Sequence, residues 1–420
     1  MFLGRDAWAA PSTQWVGSCC DPEQTIWYLG WVPHAIAHGT NPFVTHLVNA
    51  PGGVNLMWNT PTLLIGLVAA PLTVTAGPVV AYNVVITAAI ALSAWCAHLA
   101  MRRYARGAFA PFVGGALYGF SPYVVPHAAL HLDLTFAAVP PLFLLVLDDL
   151  LVRRRRPPAL LGVALGVLSF VQLLTEEEIL ATAVIVAGIL VAVLALQNRA
   201  EIGAAAARLG PALATATVTF VVLAAWPLAV QFLGPQRVHG RLQDVELFST
   251  DLLNLVVPTS YQLVAPAAAT AVSGNFSGLT HEANAYLGFP LLAVLVALAA
   301  RWWEDSRVRT AAIVGGIALT LSLGPHLLIA GASTGWPLPW LPIAHIPLLE
   351  DAQPNRVVLF AWLAAAVVVT IAVERARHAP PARRAAFGAV MAVSLAGILP
   401  AQLGASTTPV PAFFERWGDE

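Results

Sequence analysis

The sequence predicts an all-α protein: a polytopic transmembrane helical bundle of about ten spans, fronted by amphipathic interfacial helices on its extracytoplasmic side. Three observations carry this expectation. The 420 residues are 58% hydrophobic and only 10% charged, against roughly 25% charged in an ordinary soluble domain. The apolar residues fall in nearly charge-free runs of about 16 to 24 residues, the length that crosses a hydrocarbon core. Arginines punctuate alternate gaps between those runs.

The chain opens with a polar preface. Residues 17–43 read GSCCDPEQTIWYLGWVPHAIAHGTNPF. Asp21 and Glu23 start the segment, Trp27, Trp31 and His34 recur at helical spacing, and Gly39 with Asn41-Pro42 closes it. Such an aromatic stripe suits a helix lying at headgroup level. Residues 61–77, PTLLIGLVAAPLTVTAG, are short, proline-interrupted and threonine-bearing, which predicts a segment lying on or dipping into the interface. The spans then follow at about 78–101, 108–125, 132–151, 157–175, 178–196, 211–232, 285–300, 310–330, 357–374 and 384–402. Long outer loops occupy 233–284 and 331–356, and a tail covers 403–420.

Orientation comes from charge. The gaps at 102–106, 153–156, 199–208, 301–309 and 374–384 hold 16 of the 21 arginines, and lysine is absent. The positive-inside rule makes these loops cytoplasmic. The remaining loops, together with the first two residues of the spans that they lead into, hold 16 of the 22 acids. Residues 1–77 are then extracytoplasmic, with nothing in the sequence to carry them across, so a leading transmembrane helix is expected ahead of residue 1. The tail stops abruptly outside.

Other classes are disfavoured. No basic aromatic groove suggests nucleic acid. Cys19, Cys20 and Cys96 make no disulfide framework, and no ligand spacing indicates a particular metal.

The polar residues that need a reason gather at the predicted outer ends of the spans. Asp21 and Glu23 read either as solvated acids beside an interfacial anchor or as carboxylates held above a cavity. Asp133, near His127 and His131, fits a plain helix-start acid as well as a site residue. Glu176, Glu177 and Glu178 follow one another, so at about 100° per residue only one or two can face a shared cavity. His281 and Glu282 enter the seventh span. Arg356 stands alone as a basic residue at an outer span mouth, as a partner of Glu350 and Asp351 or as a phosphate clamp. Outer-face acids over an apolar bundle suit a lipid-borne substrate. A midplane transport site needs intramembrane charges that the sequence lacks.

An acidic first-loop motif, an amphipathic interfacial helix, a second juxtamembrane helix and a span ending in Arg resemble the GT-C class of integral-membrane glycosyltransferases. The closest branch looks like the one holding protein O-mannosyltransferases and lipid A aminoarabinose transferase. Within it, DPEQTIWYLGWVPHAIAHGTNPF together with NAPGGVNLMWNTP resembles an uncharacterised bacterial multi-spanning subgroup. The resemblance implies sugar transfer from a polyprenyl-phosphate donor to a lipid, glycan or protein hydroxyl at the outer face of a cytoplasmic membrane. No nucleotide cofactor is implied, and a divalent metal is admitted. The family's first-loop catalytic Asp falls on Asp21, and its second functional Asp on Asp133. Glu23, His131, Glu177, His281, Glu282 and Arg356 become candidate substrate-binding residues, with Arg356 neutralising the leaving phosphate. The lysine that some relatives use for phosphate, and their soluble C-terminal domain, have no counterpart here. A transporter or flippase of lipid-linked glycans and a non-catalytic envelope-assembly protein are the alternatives.

Overall fold

A computed structural model describes residues 2–18, 20–59, 62–238, 240, 242–347 and 349–407. Helix α1 (Asp21–Ala37) begins where a proline in the first turn has no N–H to leave unpaired. Asp21 and Glu23 favour the same end through the helix dipole. Its Val32 packs where a side chain on Gly66 of α2 (Leu63–Ala76) would stand. Gly77, at φ +89°, alone separates α2 from α3 (Pro78–Met101). At 14 residues, α2 rises about 21 Å. That is short of a hydrocarbon core of about 30 Å.

After α3 come α4 (Phe109–Gly119), two four-residue turns α5 (Val124–His127) and α6 (Leu132–Thr135), and α7 (Val139–Leu147). A π-helical turn over Asp148–Arg153 continues α7. Next are α8 (Pro158–Leu173), α9 (Glu177–Gln197), α10 (Ile202–Leu233) and the short α11 (Ala267–Ser273). The remainder comprises α12 (Gly288–Arg301), α13 (Ser306–Ser322), α14 (Val358–Ala376) and α15 (Pro381–Ala396).

Among the described residues, five helical stretches are long and apolar enough to cross a membrane: 78–101, 132–153, 177–197, 199–233 and 354–376. The protein is mostly helical, as expected, but several expected spans are shorter or broken. The 108–125 run yields only α4 before the chain turns. The 132–151 run is interrupted between α6 and α7. The 310–330 run ends at Ser322 and passes into a hairpin of β4 (His326–Ile329) and β5 (Ala332–Pro337), because Gly324-Pro325 stops the helix. The 211–232 run starts earlier, at Ile202.

Helix α14 is the centre of the bundle, buried continuously from Val358 to Ala372. Helix α10 is peripheral and turns Val218, Val221, Val222 and Trp226 outward. Where lipid removes the hydrophobic drive between helices, close backbone approach at small residues takes its place. Gly115 and Gly119 let α4 lie on Ala94 and His98 of α3, while Gly162 and Gly166 let α8 lie on Ala212 and Ala216 of α10.

The two ends of the bundle differ. At one end the arginine clusters pair with their own acids: Arg153 with Asp148 at 2.6 Å, Arg156 with Asp149 at 2.9 Å, and Arg154 with Glu201 at 2.6 Å. Asp305 accepts from Arg307 at 2.7 Å and from Arg375 at 2.5 Å. At the other end, loops knit into a cap. Strand β1 (Trp15–Val16) pairs with β6 (Ala405–Ser406) and β2 (Val44–Thr45) with β3 (Val54–Asn55), and the amide of Leu263 donates to the Leu399 carbonyl at 2.8 Å. The amide of Gly331 donates to Asp251 at 2.7 Å, and that of Asn355 to the Phe248 carbonyl at 3.1 Å. The first loop, both long loops and residues 403–407 therefore share one layer.

Candidate functional site

Under the cap, five segments deliver polar side chains to one place. Helix α1 supplies Asp21, and the turns α5 and α6 supply His127, His131 and Asp133. The start of α9 supplies Glu176 and Glu178. The turn Thr280–Glu282 supplies His281 and Glu282, and the turn Pro354–Val357 leading into α14 supplies Asn355 and Arg356. Each is a helix start or a turn, where the bundle's apolar periodicity pauses and polar groups are admitted.

Glu282 is the hub and is buried. Arg356 grips its carboxylate with two guanidinium nitrogens, Nη1 on Oε2 and Nη2 on Oε1, the latter at 3.0 Å. Asn355 Nδ2 donates to Oε2 at 2.7 Å. Burial opposes ionisation of Glu282, but the charge and hydrogen bonds of Arg356 act against it, and the carboxyl is held well below the usual range. Arg356 also donates from Nε to Glu178 Oε2 at 3.2 Å.

His127 is fully buried, and burial pushes its pKa down. Its Nδ1 lies 2.6 Å from the Tyr123 carbonyl, so Nδ1 carries the proton and Nε2 presents a lone pair. That lone pair accepts from Arg356 Nη1 at 3.2 Å. The 3.4 Å approach of His127 Nε2 to Glu282 Oε2 is then a meeting of two acceptors bridged by the same guanidinium. It is not a charged pair.

On the open side, Asp21 Oδ2 stands 3.6 Å from His131 Nδ1, with the Asp21 side chain 44% exposed. The other nitrogen of His131, Nε2, lies 3.0 Å from His281 Nε2 and 3.5 Å from Glu282 Oε1. Burial pushes the pKa of His281 down to about 3, so the ring is neutral. His131, His281 and Glu282 are thus the described residues whose ligand atoms converge as a metal site requires. Below them, Glu176 hydrogen-bonds Asp133. Burial first, then the charges of Asp133 and Glu178, push the Glu176 carboxyl well above the usual range. Glu176 keeps its proton and donates it to Asp133.

Of the residues singled out from sequence, Asp21, His131, Asp133, His281, Glu282 and Arg356 come together. Glu23 is exposed on α1. Glu177 points the other way, accepting from Gln231 Nε2 at 2.9 Å and lining a small cavity with Met57, Thr62 and Leu173. A substrate role for Glu177 in this cluster is therefore corrected. Glu178 takes that place, because residues 176 and 178 flank the capping turn while 177 projects between them. The expected partners of Arg356, Glu350 and Asp351, are replaced by Glu282 and Glu178. With its guanidinium so occupied and the residue only 4% exposed, Arg356 is not open to a phosphate. Sequence reasoning passed over Asn355 and gave His127 no role, although the four-residue spacing of His127 and His131 was a usable sign of a shared face.

Residues 1–346 match a family model described as a domain of unknown function, DUF6311, and the chain belongs to that family. No curated protein and no solved structure matches it.

Proposed function

We propose that this DUF6311 protein is a GT-C-like membrane glycosyltransferase, moving a sugar from a polyprenyl-phosphate carrier to an acceptor hydroxyl. In this reading the bundle crosses the membrane ten times, with α4, α8, α12, α13 and α15 as its short crossings, and the cap lies outside the cell. The observation that carries it is Asp21: a half-exposed carboxylate beside His131, above a sealed charged cluster, at the capped end of an apolar bundle. A lipid carrier reaches such a place laterally, and the acceptor reaches it from the cap side.

The reaction is a displacement at the anomeric carbon. The acceptor oxygen forms a bond to that carbon as the bond from carbon to phosphate oxygen breaks. Asp21 takes the acceptor proton, and polyprenyl phosphate leaves with the bonding pair. The imidazole of His131 holds Asp21 in position, and the Glu176–Asp133 pair orients the acceptor through Asp133. Arg356 keeps Glu282 ionised and does not touch the phosphate.

The test is transfer of labelled sugar from polyprenyl phosphate in membranes containing the full-length protein. Asp21→Asn keeps the shape and loses the base, so turnover drops by at least about 10²-fold, the lower end for general-base assistance, at normal expression. Wild-type turnover in that variant removes Asp21 from the mechanism. Lipid movement without a new glycosidic bond replaces the transferase reading with a flippase.

A further inference from the structure

We propose that His131, His281 and Glu282 form a binding site for one divalent transition-metal ion of the zinc class. Their ligand atoms form a small triangle: His131 Nε2 to His281 Nε2 is 3.0 Å, His131 Nε2 to Glu282 Oε1 is 3.5 Å, and His281 Nε2 to Glu282 Oε1 is 3.6 Å. Zinc binds imidazole nitrogen at about 2.0–2.1 Å and carboxylate oxygen at about 2.0–2.2 Å. Two such bonds at a tetrahedral angle separate their ligand atoms by about 3.4 Å. The triangle is therefore close to one face of a zinc tetrahedron, and side-chain shifts of a few tenths of an ångström complete it.

The donor set selects the class of ion. Two imidazoles and a carboxylate suit zinc and its first-row neighbours, whereas magnesium and calcium take oxygen ligands almost throughout. Three protein ligands leave room for water or an anionic substrate oxygen. His127, the nearest further imidazole, is not the fourth ligand, since its Nε2 lone pair already accepts from Arg356.

The surroundings are built for the same purpose. Metal-bound histidines commonly direct their other ring nitrogen at a carboxylate, which fixes the tautomer. Here Asp21 Oδ2 faces His131 Nδ1 at 3.6 Å, the side on which a proton on Nδ1 leaves the Nε2 lone pair to the triangle. The Glu282 oxygen opposite the site, Oε2, is held by Asn355 and Arg356, while Oε1 accepts from Arg356 Nη2 with one lone pair and keeps the other for the ion. Charge agrees as well. Asp21, Asp133, Glu178 and Glu282 contribute four formal negatives against one positive from Arg356, so a divalent ion offsets most of a net negative charge. His281 and Glu282 are buried, while the His131 side chain is 22% exposed, which gives the ion a way in.

The experiment uses the full-length protein in detergent with Zn²⁺ or Co²⁺ alone and no sugar donor, so it stands or falls apart from the transferase reading. After equilibration and removal of loose metal, elemental analysis finds about one zinc per chain, and Co²⁺ gives the intense visible absorption of a tetrahedral nitrogen–oxygen site. His131→Gln and His281→Gln each weaken binding by at least about tenfold, whereas His345→Gln, an exposed histidine on the same cap, does not. Should the histidine variants misfold, Asp21→Asn serves, since it lies on the half-exposed side and weakens binding about tenfold through His131. Zn²⁺ also raises the melting temperature of the wild type and leaves that of His281→Gln unchanged. A wild type that takes up no more zinc than a detergent blank overturns the proposal. So do folded His131→Gln and His281→Gln variants that keep wild-type metal content.

Discussion

Arg356→Met separates a guanidinium that holds the fold together from one that grips substrate. Arg356 is 4% exposed, and its nitrogens go to Glu282, Glu178 and His127. Methionine fills much of the space but leaves Glu282 buried with only Asn355 as a strong donor. Removing one partner of a buried ion pair costs about 3–5 kcal/mol, because the other charge stays behind uncompensated. The unfolding entropy of globular chains, about 2.1 cal/mol/K per residue, gives roughly 0.9 kcal/mol/K for 420 residues. The expected loss is then about 3–6 °C in melting temperature, followed by tryptophan fluorescence in detergent. Adding Glu282→Gln removes the stranded charge and recovers about half of that loss, a coupling of at least about 1.5 kcal/mol. A single variant melting within about one degree of wild type, or a double variant with simply additive losses, refutes this account of Arg356. Loss of donor use at unchanged stability would return it to the phosphate clamp that the sequence suggested.

Two further outcomes test the architecture. Single-cysteine variants at Val48, Gln243 and His345, all exposed on the cap, label with an impermeant reagent in intact cells, and one at Arg155 does not; labelling at 155 alone inverts the orientation. Gly162→Val places a branched side chain against the Ala212 carbonyl and Thr215 of α10. It lowers the melting temperature by about 1–3 °C or more, at the overpacking cost of about 1–3 kcal/mol or more, whereas Gly188→Ala, with open space at its Cα, stays near wild type.

The sequence by itself determined the solvent of this protein and much of its layout. Long charge-free runs had no other use than burial in lipid or in one another, and the arginine clusters do assemble with Asp148, Asp149, Glu201 and Asp305 at the end opposite the cap. It also picked out Asp21, His131, Asp133, His281, Glu282 and Arg356, because a polar residue at the edge of an apolar run needs a reason wherever the chain goes. Tertiary structure alone decided who partners whom. Periodicity could say that one or two of Glu176, Glu177 and Glu178 face a cavity, but only the capping turn before α9 and the position of Gln231 turned Glu177 away. Arg356 was expected beside Glu350 and Asp351, a few residues off in sequence. It pairs instead with Glu282 and Glu178, 74 and 178 residues away, because α14 is the central helix and carries its first turn into the middle of the site. The triangle of His131, His281 and Glu282 was invisible for the same reason. His131 stands 150 residues from His281, the neighbour of Glu282, and only packing around α14 brings three ligand atoms within reach of one ion.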